Sequence, residues 1–363
     1  MNIKKATKKY EAWLAKHATL VPEDLRLKHA RMADSPFEFL RATFYRWAQL
    51  WPEVSPDPAK APEVLGVGDL HVENFGTWRD QEGRLIWGVN DFDEACRLPY
   101  TNDLVRLAAS AHLAGAENHL ALTGVDACQA ILDGYREGLE SGGSAFVLEA
   151  RHTWLRDVAL SELRDPVRFW EKMEGLPAIR GHIPERVRKA MESLMPERGI
   201  AYRLAHRVAG LGSLGRERFV ALADWRGGHI AREAKTLVPS AWGWAQKGHS
   251  SNRILYEEIM ACAVRVRDPF VHLRGRWIVR RLAPHCSRIE LATLPRKRDE
   301  KKLLHAMGYE TANVHLGSRK ATGAVRRDLK KRPADWLHAA AKCMVKATLT
   351  DWEDWKKVQS KLS

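Results

Sequence analysis

Acidic side chains are concentrated in two short segments of the chain. The first segment, GDLHVENFG, occupies residues 68–76, and the second, WGVNDFDEACRLPYTNDLVRLAAS, occupies residues 87–110. Their polar members are Asp69, His71, Glu73, Asn74, Asp91, Asp93, Glu94 and Asp103. Because neighbouring carboxylates repel one another, a cation is expected to lie among them.

The spacing of three of these residues suits phosphoryl transfer. That reaction needs a carboxylate to accept the proton of the attacking hydroxyl, and hard oxygen ligands to hold magnesium on the triphosphate. Asp69, followed by Asn74 in the same loop, can present a base and a metal ligand, and Asp91 after the strand-like WGVN can complete the metal site. A hydrolytic metal site built from His71, Glu73 and Asp91 is the competing interpretation, although the sequence has no HxxxH or HxH pair.

A glycine-rich segment, GLGSLG at residues 210–215, could approach phosphate oxygens closely with its backbone N–H groups. The candidate contacts are Gly210, Gly212, Ser213 and Gly215. The following RERFVALADW favours a strand, and a strand–loop–strand hairpin is how kinases cover the phosphates of ATP. Lys235 lies on the next predicted strand and suits contact with the α- and β-phosphates. Glu258 is preferred over Glu257 as its salt-bridge partner, because apolar residues lie one turn away on either side.

These motifs resemble known families. GDLHVEN resembles the Gly-Asp-x-His-x-x-Asn loop of aminoglycoside phosphotransferases and choline kinases, and NDFDEA with NDLVRLAAS resembles the segment that follows it there. SPFEFLR, GDLHVENFG, VAGLGSLG and VRRL also resemble a largely bacterial family, domain of unknown function 2252, which is grouped with the kinase-like fold. The resemblance implies that Asp69 is the catalytic base and that Asn74 and Asp91 are magnesium ligands. It further implies that His71 shapes the loop and that Asp103 braces it.

The resemblance implies an α+β, two-lobed, protein-kinase-like (aminoglycoside phosphotransferase-like) fold, and the order of the motifs indicates that this fold is circularly permuted. The glycine segment and the lysine follow the acidic loop, whereas in ordinary kinases they precede it. Residues 1–199 are predicted to form a large helical lobe with the catalytic and metal-binding loops. Residues 200–295 are predicted to form a small antiparallel nucleotide-binding lobe with one helix, and residues 296–363 helices that pack back on the large lobe.

Two local signals are specific enough to test. Ser35 and Pro36 predict the start of a helix over residues 36–51, because serine is a preferred N-cap and proline is tolerated in the first turn. The RGG at residues 226–228 predicts the tight turn of a β-hairpin.

Composition excludes several classes of protein. The 363 residues contain no apolar run near the roughly 20 residues that span a bilayer. The basic N-terminus lacks the continuous apolar centre of a signal peptide, so a cytoplasmic protein without a membrane partner is expected. Five cysteines without a CxxC pair exclude a zinc knuckle or a redox pair and predict free thiols.

The favoured function is an ATP- and Mg2+-dependent phosphotransferase acting on an unknown hydroxyl-bearing small molecule or protein. The formal charge of +14 favours an anionic or neutral acceptor over a cationic one. Nucleotidyl (AMP) transfer is an alternative. Another is a nucleotide- or nucleic-acid-binding protein with a kinase-like body and little catalysis, based on the basic C-terminal part and on Trp336, Trp352 and Trp355.

Overall fold

The computed structural model describes residues 1–149, 151–159, 165–179, 183–246, 253–286 and 299–360. The chain is α+β and combines small antiparallel sheets with many helices, an arrangement compatible with two lobes. Within these ranges, none of the helices has both the length and the apolar character needed to cross a bilayer. All five cysteines lie in the described ranges as free thiols. The predicted lobe boundary at 295/296 lies outside them.

The N-terminal part of the chain is helical. Its helices are α1 (Ile3–Leu14), α2 (Pro22–Asp34), α3 (Pro36–Ala42) and α4 (Phe44–Val54). The Ser35 side chain caps α3 by accepting a backbone hydrogen bond at 3.2 Å, and Pro36 occupies the first turn. The helix predicted over residues 36–51 is divided at Thr43, whose φ and ψ of −123° and 39° are not helical. The Thr43 hydroxyl donates to the backbone O of Phe39 at 2.7 Å, and such local bonds compete with helix continuation.

Two small sheets fix the positions of the two acidic loops. Their strands are β1 (Glu63–Gly66), β2 (Phe75–Arg79), β3 (Leu85–Val89), β4 (Cys96–Pro99) and β5 (Phe146–Val147). β1 pairs with β4, and β3 pairs with both β2 and β5, always antiparallel. Loop A, residues 67–74, therefore joins β1 to β2, and loop B, residues 90–95, joins β3 to β4. The pairings Gly66↔Cys96 and Phe75↔Val89 place the ends of the two loops side by side.

Longer helices surround these loops and form, with α1–α4, what we call the helical body. They are α5 (Tyr100–Ala116), α6 (Gly124–Ser141), α12 (Glu300–His315), α13 (Arg319–Lys331) and α14 (Trp336–Gln359). α14 packs on α5, and α12 packs along α6. The α6–α12 approach is close because a Cβ at Gly134 would lie 1.9 Å from the backbone O of His305. Trp336 and Trp355 are buried in this body, with 6% and 3% exposure.

A five-stranded antiparallel sheet forms the other part of the molecule. Its strands, in spatial order, are β6 (Arg203–His206), β7 (Arg218–Trp225), β8 (Gly228–Thr236), β10 (Trp277–Leu282) and β9 (Val271–Arg274). β6 and β7 flank residues 207–217, which we call the glycine loop. The turn between β7 and β8 is formed by Arg226 and Gly227, both with positive φ (49° and 83°), as two-residue hairpins of type I′ require.

Two helices that precede the sheet in the sequence pack on it. α7 (Thr153–Ala159) is followed by these two, α8 (Pro166–Glu174) and α9 (Glu185–Glu192). Val187 and Met191 of α9 pack in one cluster with Ala221, while Met173 of α8 packs in a second cluster with Val220. We call α8, α9 and β6–β10 together the sheet unit. Amphipathic patterns reveal an apolar face but not which element will cover it.

Two short helices lie between β8 and β9, where one helix was predicted for the small lobe. The segment between β8 and β9 contains α10 (Ala241–Ala245) and α11 (Tyr256–Cys262), both short. Trp242, Tyr256 and Ile259 belong to the same core cluster as the helical body. These two helices therefore connect the sheet unit to the helical body.

Candidate active site

Loop A is held by a buried aspartate in the first turn of α5. The Asp103 carboxylate accepts hydrogen bonds from the backbone N–H groups of Val67 and Gly68, at 2.7 and 2.9 Å, and from His315 Nε2 at 3.0 Å. Gly68 has φ of +80°, and an added Cβ would lie 2.5 Å from the backbone O of Glu94. Loop A therefore requires glycine there, and Asp103 occupies the bracing position that the resemblance implies.

Asp69 projects from loop A and forms an ion pair with Arg106 of α5. Arg106 Nε donates to Asp69 Oδ1 at 2.9 Å, and the Arg106 side chain is fully buried. Its guanidinium lies 5.1 Å from the ring centroid of Phe44 and 4.9 Å from that of Trp47. The Asp69 side chain keeps 18% exposure. Arg106 was not predicted from the sequence as a site residue. An arginine within the apolar run LVRLAAS, one turn after Asp103 on the same helix, could have indicated a buried partner for an acid.

His71 and Glu73 have structural partners. His71 is buried, and its Nδ1 accepts a hydrogen bond from the backbone N of Glu73 at 3.2 Å. The Glu73 carboxylate pairs with Arg41 at 2.8 Å. The first contact fits a loop-shaping role for His71. The second argues against the competing hydrolytic metal site, because an arginine already neutralises the glutamate that such a site would use.

Asn74 joins loop A to loop B. Its Nδ2 donates to the backbone O atoms of Asp69 and Asp91, both at 3.1 Å. Its Oδ1 is buried and has no hydrogen-bond partner in the part of the chain that the structure describes. Asn74 and Asp91 line the same cavity. An unsatisfied amide oxygen beside a carboxylate is the hard donor set that Mg2+ prefers, so these residues fit the ion that the resemblance implies.

Lys235 of β8 reaches loop B from the sheet unit. Its Nζ lies 3.4 Å from Asp91 Oδ2 and 2.6 Å from Asp93 Oδ1. Burial lowers the pKa of Lys235, and the two aspartates oppose that shift. Burial and the neighbouring Asp91 raise the pKa of Asp93, against the effect of Lys235 and Arg216. The ammonium and the two carboxylates thus form a compact buried cluster.

Glu258 is not the partner of Lys235. Its carboxylate pairs with Arg97 at 3.1 Å and with Arg253 at 3.5 Å, on a partly exposed face of α11. α11 turns Tyr256 and Ile259 into the core instead, and loop B supplies the acids that meet Lys235. The role predicted for Glu258 is therefore filled by Asp91 and Asp93, which a local helical pattern could not indicate.

The glycine loop lies directly over Asp69. Residues Leu211–Ser213 form one 3-10 turn, and a Cβ on Gly212 would lie 3.2 Å from Asp69 Oδ2 and 3.3 Å from the backbone O of Arg41. Gly210 and Gly215 have φ of +71° and +99°, which favours glycine at both positions. Ser213 Oγ accepts a hydrogen bond from Arg218 at 2.9 Å.

One cavity is lined by residues of loop A, loop B and the glycine loop, including Arg216 of that loop, together with Lys28 and Arg41. Lys235 does not line the cavity itself but contacts Asp91 and Asp93, which do. The volume of the cavity is about 40 Å³, enough for a few water molecules but not for a nucleotide. Lys28 Nζ donates to the backbone O of Gly212 at 2.9 Å, and Arg216 pairs with Asp93 at 3.4 Å. In the described conformation the cleft is therefore closed, and the side chains of Lys28 and Arg216 hold its walls together.

Glu94 of loop B is a further cavity residue that the sequence analysis did not assign. Its Oε2 accepts hydrogen bonds from the Ser240 hydroxyl at 3.0 Å and from the Ala241 backbone N at 2.7 Å. Burial raises the pKa of Glu94 to about 7, although Arg216 and these hydrogen bonds oppose the shift. The cleft therefore holds a carboxyl group that titrates near neutrality.

Comparison with known proteins supports the resemblance over part of the chain. Residues 20–166 match the family described as "Uncharacterized protein conserved in bacteria (DUF2252)". The matched range includes loops A and B and α5, and it ends before the glycine loop. No curated protein and no solved structure matches the chain.

Proposed function

We propose that this protein is an ATP- and Mg2+-dependent phosphotransferase with a circularly permuted, protein-kinase-like (aminoglycoside phosphotransferase-like) fold. The observation that carries the proposal is the 3.4 Å distance between Lys235 Nζ and Asp91 Oδ2. It joins the sheet unit to loop B at a cavity that Asp69 and the glycine loop also line. A lysine, a glycine loop and an acidic loop around one cleft are the parts that phosphoryl transfer requires.

Each residue has a role in this proposal. Asp69 accepts the proton of the acceptor hydroxyl, and Arg106 orients its carboxylate. Asn74 Oδ1 and Asp91 would hold Mg2+, which when bound neutralises charge on the phosphate oxygens. Lys235 and the backbone N–H groups of the glycine loop bind the phosphates. Most of the rate acceleration then comes from positioning and electrostatics.

The charged side chains that line the cleft also indicate which charge the acceptor carries. Lys28, Arg41 and Arg216 line the cavity beside the acidic loops, and the whole chain carries a formal charge of +14. These cations favour an anionic or neutral acceptor over a cationic one. The nucleic-acid alternative has less support, because two of its three tryptophans, Trp336 and Trp355, are buried and not available for base stacking, while Trp352 is partly buried.

Calorimetric titration of the full chain with ATP, with and without Mg2+, tests the nucleotide site. Asp91→Asn is expected to remove the magnesium dependence of ATP binding, and Lys235→Met to weaken binding by about tenfold or more. Lys189→Met, at an exposed lysine of α9 in the same sheet unit, is the matched control. If the unmodified protein binds ATP no better with Mg2+ than without it, the proposal is wrong.

Labelled ATP distinguishes the possible reactions. Incubation with γ-labelled ATP, Mg2+ and cell metabolite extract should transfer label to an acceptor or release labelled phosphate, and Asp69→Asn should abolish this while ATP binding persists. Transfer of label from α-labelled ATP would instead establish nucleotidyl transfer. Binding of ATP with no turnover of either label would favour a nucleotide-binding protein with little catalysis.

A further inference from the structure

A second cluster of chemically reactive side chains lies in the helical body, where three helices meet. His112 belongs to α5, Cys128 to α6 and His338 to the first turn of α14. One possible ligand atom from each residue lies within 4.8 Å of the other two. None of the three residues takes part in the cleft, so the cluster is independent of the function proposed above.

The distances in the cluster suit a tetrahedral metal ion. His112 Nε2 lies 3.6 Å from Cys128 Sγ. Zinc–nitrogen and zinc–sulfur bonds of ordinary length place such a pair of ligands about 3.5 Å apart in tetrahedral geometry. The His112 and His338 rings lie with centroids 5.2 Å apart. His338 is only partly buried, so its ring can close the remaining gap by a small side-chain rotation.

Two details indicate that the side chains of this cluster are specifically positioned. Nδ1 of His338 is shielded from solvent and has no hydrogen-bond partner in the described ranges, an arrangement that normally needs an explanation. The His112 ring packs on the backbone of Gly124 and hydrogen-bonds with it. A Cβ at residue 124 would lie 2.1 Å from His112 Cε1. A backbone contact of this kind fixes the orientation of a metal-binding imidazole.

We propose that His112, Cys128 and His338 form a binding site for one borderline-soft divalent transition-metal ion, with Zn2+ the best match. Two imidazoles and one thiolate suit zinc and not magnesium or calcium. Three protein ligands leave a fourth position for water or another small ligand, as in zinc sites with an open position. The ion would tie the start of α14 to α5 and α6.

Metal binding at this cluster would use one neutral imidazole directly and would require the Cys128 thiol to lose its proton. Burial lowers the pKa of His112, helped by His338 and Lys342, so the imidazole is neutral and can donate a lone pair. Burial raises the pKa of the Cys128 thiol to about 12. Metal binding must therefore displace the thiol proton, which leaves to solvent as the metal–sulfur bond forms.

Cobalt substitution tests the site directly. Tag-free full-length protein, stripped with chelator, is titrated with Co2+ and then with Zn2+. We expect one equivalent of Co2+ to give a thiolate-to-cobalt charge-transfer band, and Zn2+ to abolish it by displacement. Cys128→Ser should lose the band, and His338→Asn should weaken Co2+ binding by at least about tenfold. The matched controls are Cys343→Ser, at an exposed cysteine of α14, and His305→Asn, at a histidine paired with Glu137.

The Gly124→Ala variant separates positioning from ligation. It keeps all three ligands but displaces the His112 ring, so the band should persist while the affinity for Co2+ falls. The proposal is overturned if the unmodified protein gives no thiolate-to-cobalt band. It is equally overturned if Cys128→Ser keeps the band or if Cys343→Ser removes it.

Discussion

At the scale of single residues, the proposed catalytic base Asp69 also bears on the stability of the fold. Its carboxylate forms an ion pair with Arg106, whose side chain is completely buried. A buried cation that loses its counter-charge is strongly destabilising. The residue proposed as the catalytic base thus also neutralises a guanidinium that is packed between aromatic rings of α4.

Asp69→Asn is therefore expected to lower the free energy of unfolding by about 3 kcal/mol in addition to its effect on turnover. Urea unfolding followed by circular dichroism measures this change. The double variant Asp69→Asn/Arg106→Met should recover part of the stability, because the unpaired charge is gone, and should remain inactive. A single variant as stable as the unmodified protein would show that the ion pair contributes nothing to stability.

The raised pKa of Glu94 predicts how the free energy of unfolding depends on pH. Its pKa in the folded protein is about 7, above the ordinary value of 4.5, so between these values the folded state retains a proton that the unfolded chain releases. The contribution of Glu94 to stability should therefore fall as pH rises from about 4.5 to 7 and stay constant above pH 7. Across this window the fall is on the order of 3 kcal/mol.

Glu94→Gln removes this titration while keeping an acceptor for the Ala241 backbone N. Its free energy of unfolding, measured in urea at pH 5, 6, 7 and 8, should decline less with pH than that of the unmodified protein. Glu257→Gln, at an exposed glutamate of α11, should leave the slope unchanged. Parallel curves for Glu94→Gln and the unmodified protein would contradict the titration assigned to Glu94.

At the scale of elements, the glycine loop is positioned by close backbone contact. Gly212→Ala would introduce a Cβ 3.2 Å from Asp69 Oδ2 and 3.3 Å from a backbone oxygen, so the loop must shift by a few tenths of an ångström. We expect turnover to fall by about tenfold, because small displacements of catalytic groups are costly. The free energy of unfolding should change by less than about 1 kcal/mol, since the site is at a loop surface.

Gly228→Ala is the control for that experiment. Gly228 also lies in the sheet unit, but nothing lies within 4 Å of an added Cβ. Steady-state release of γ-labelled phosphate from ATP should therefore be unaffected in Gly228→Ala and reduced in Gly212→Ala. Equal activity of the two variants would mean that the glycine loop does not control the position of Asp69.

The structural features that could be predicted from the sequence are those determined by residues adjacent in the chain. The Ser35 cap and the Arg226–Gly227 turn follow from the conformational preferences of adjacent residues. The hairpin around the glycine loop follows from two neighbouring apolar strands. Arg106 and the partners of Glu258 were missed, because they depend on contacts between segments far apart in the sequence. The direct contact of Lys235 with Asp91 was also not predicted, since Glu258 was the expected partner of the lysine.

At the scale of the whole molecule, the cleft is closed by contacts from the N-terminal helices. The Val21 backbone N donates to the O of Gly215 at 2.9 Å, and Leu20 forms a bridge with Arg216. Lys28 holds the glycine loop through Gly212. A cavity of about 40 Å³ must grow to several hundred cubic ångströms to admit a nucleotide. If this cleft binds a nucleotide as proposed, the glycine loop must move away from α2 to admit it.

Opening of the cleft should be visible in hydrogen exchange. Backbone amides of residues 207–217 are expected to exchange through local opening without nucleotide and to become protected when ATP and Mg2+ are bound. Amides of β7 and β8 provide the internal reference, because they are paired on both sides within the five-stranded sheet. Unchanged exchange in residues 207–217 on saturation with nucleotide would mean that ATP does not bind under this loop.

Lys28→Met tests whether α2 acts as a latch on the glycine loop. Burial lowers the pKa of Lys28 to about 8, and its Nζ donates a hydrogen bond from α2 to the backbone O of Gly212 in that loop. Loss of one such bond, worth about 1 kcal/mol, should speed association of Mg·ATP by up to about fivefold. Stopped-flow fluorescence with a labelled ATP analogue measures the rate, with Lys16→Met, at an exposed lysine just after α1, as the control. Slower association with weaker binding would identify Lys28 as a phosphate contact, because a latch that is removed can only make the cleft easier to enter.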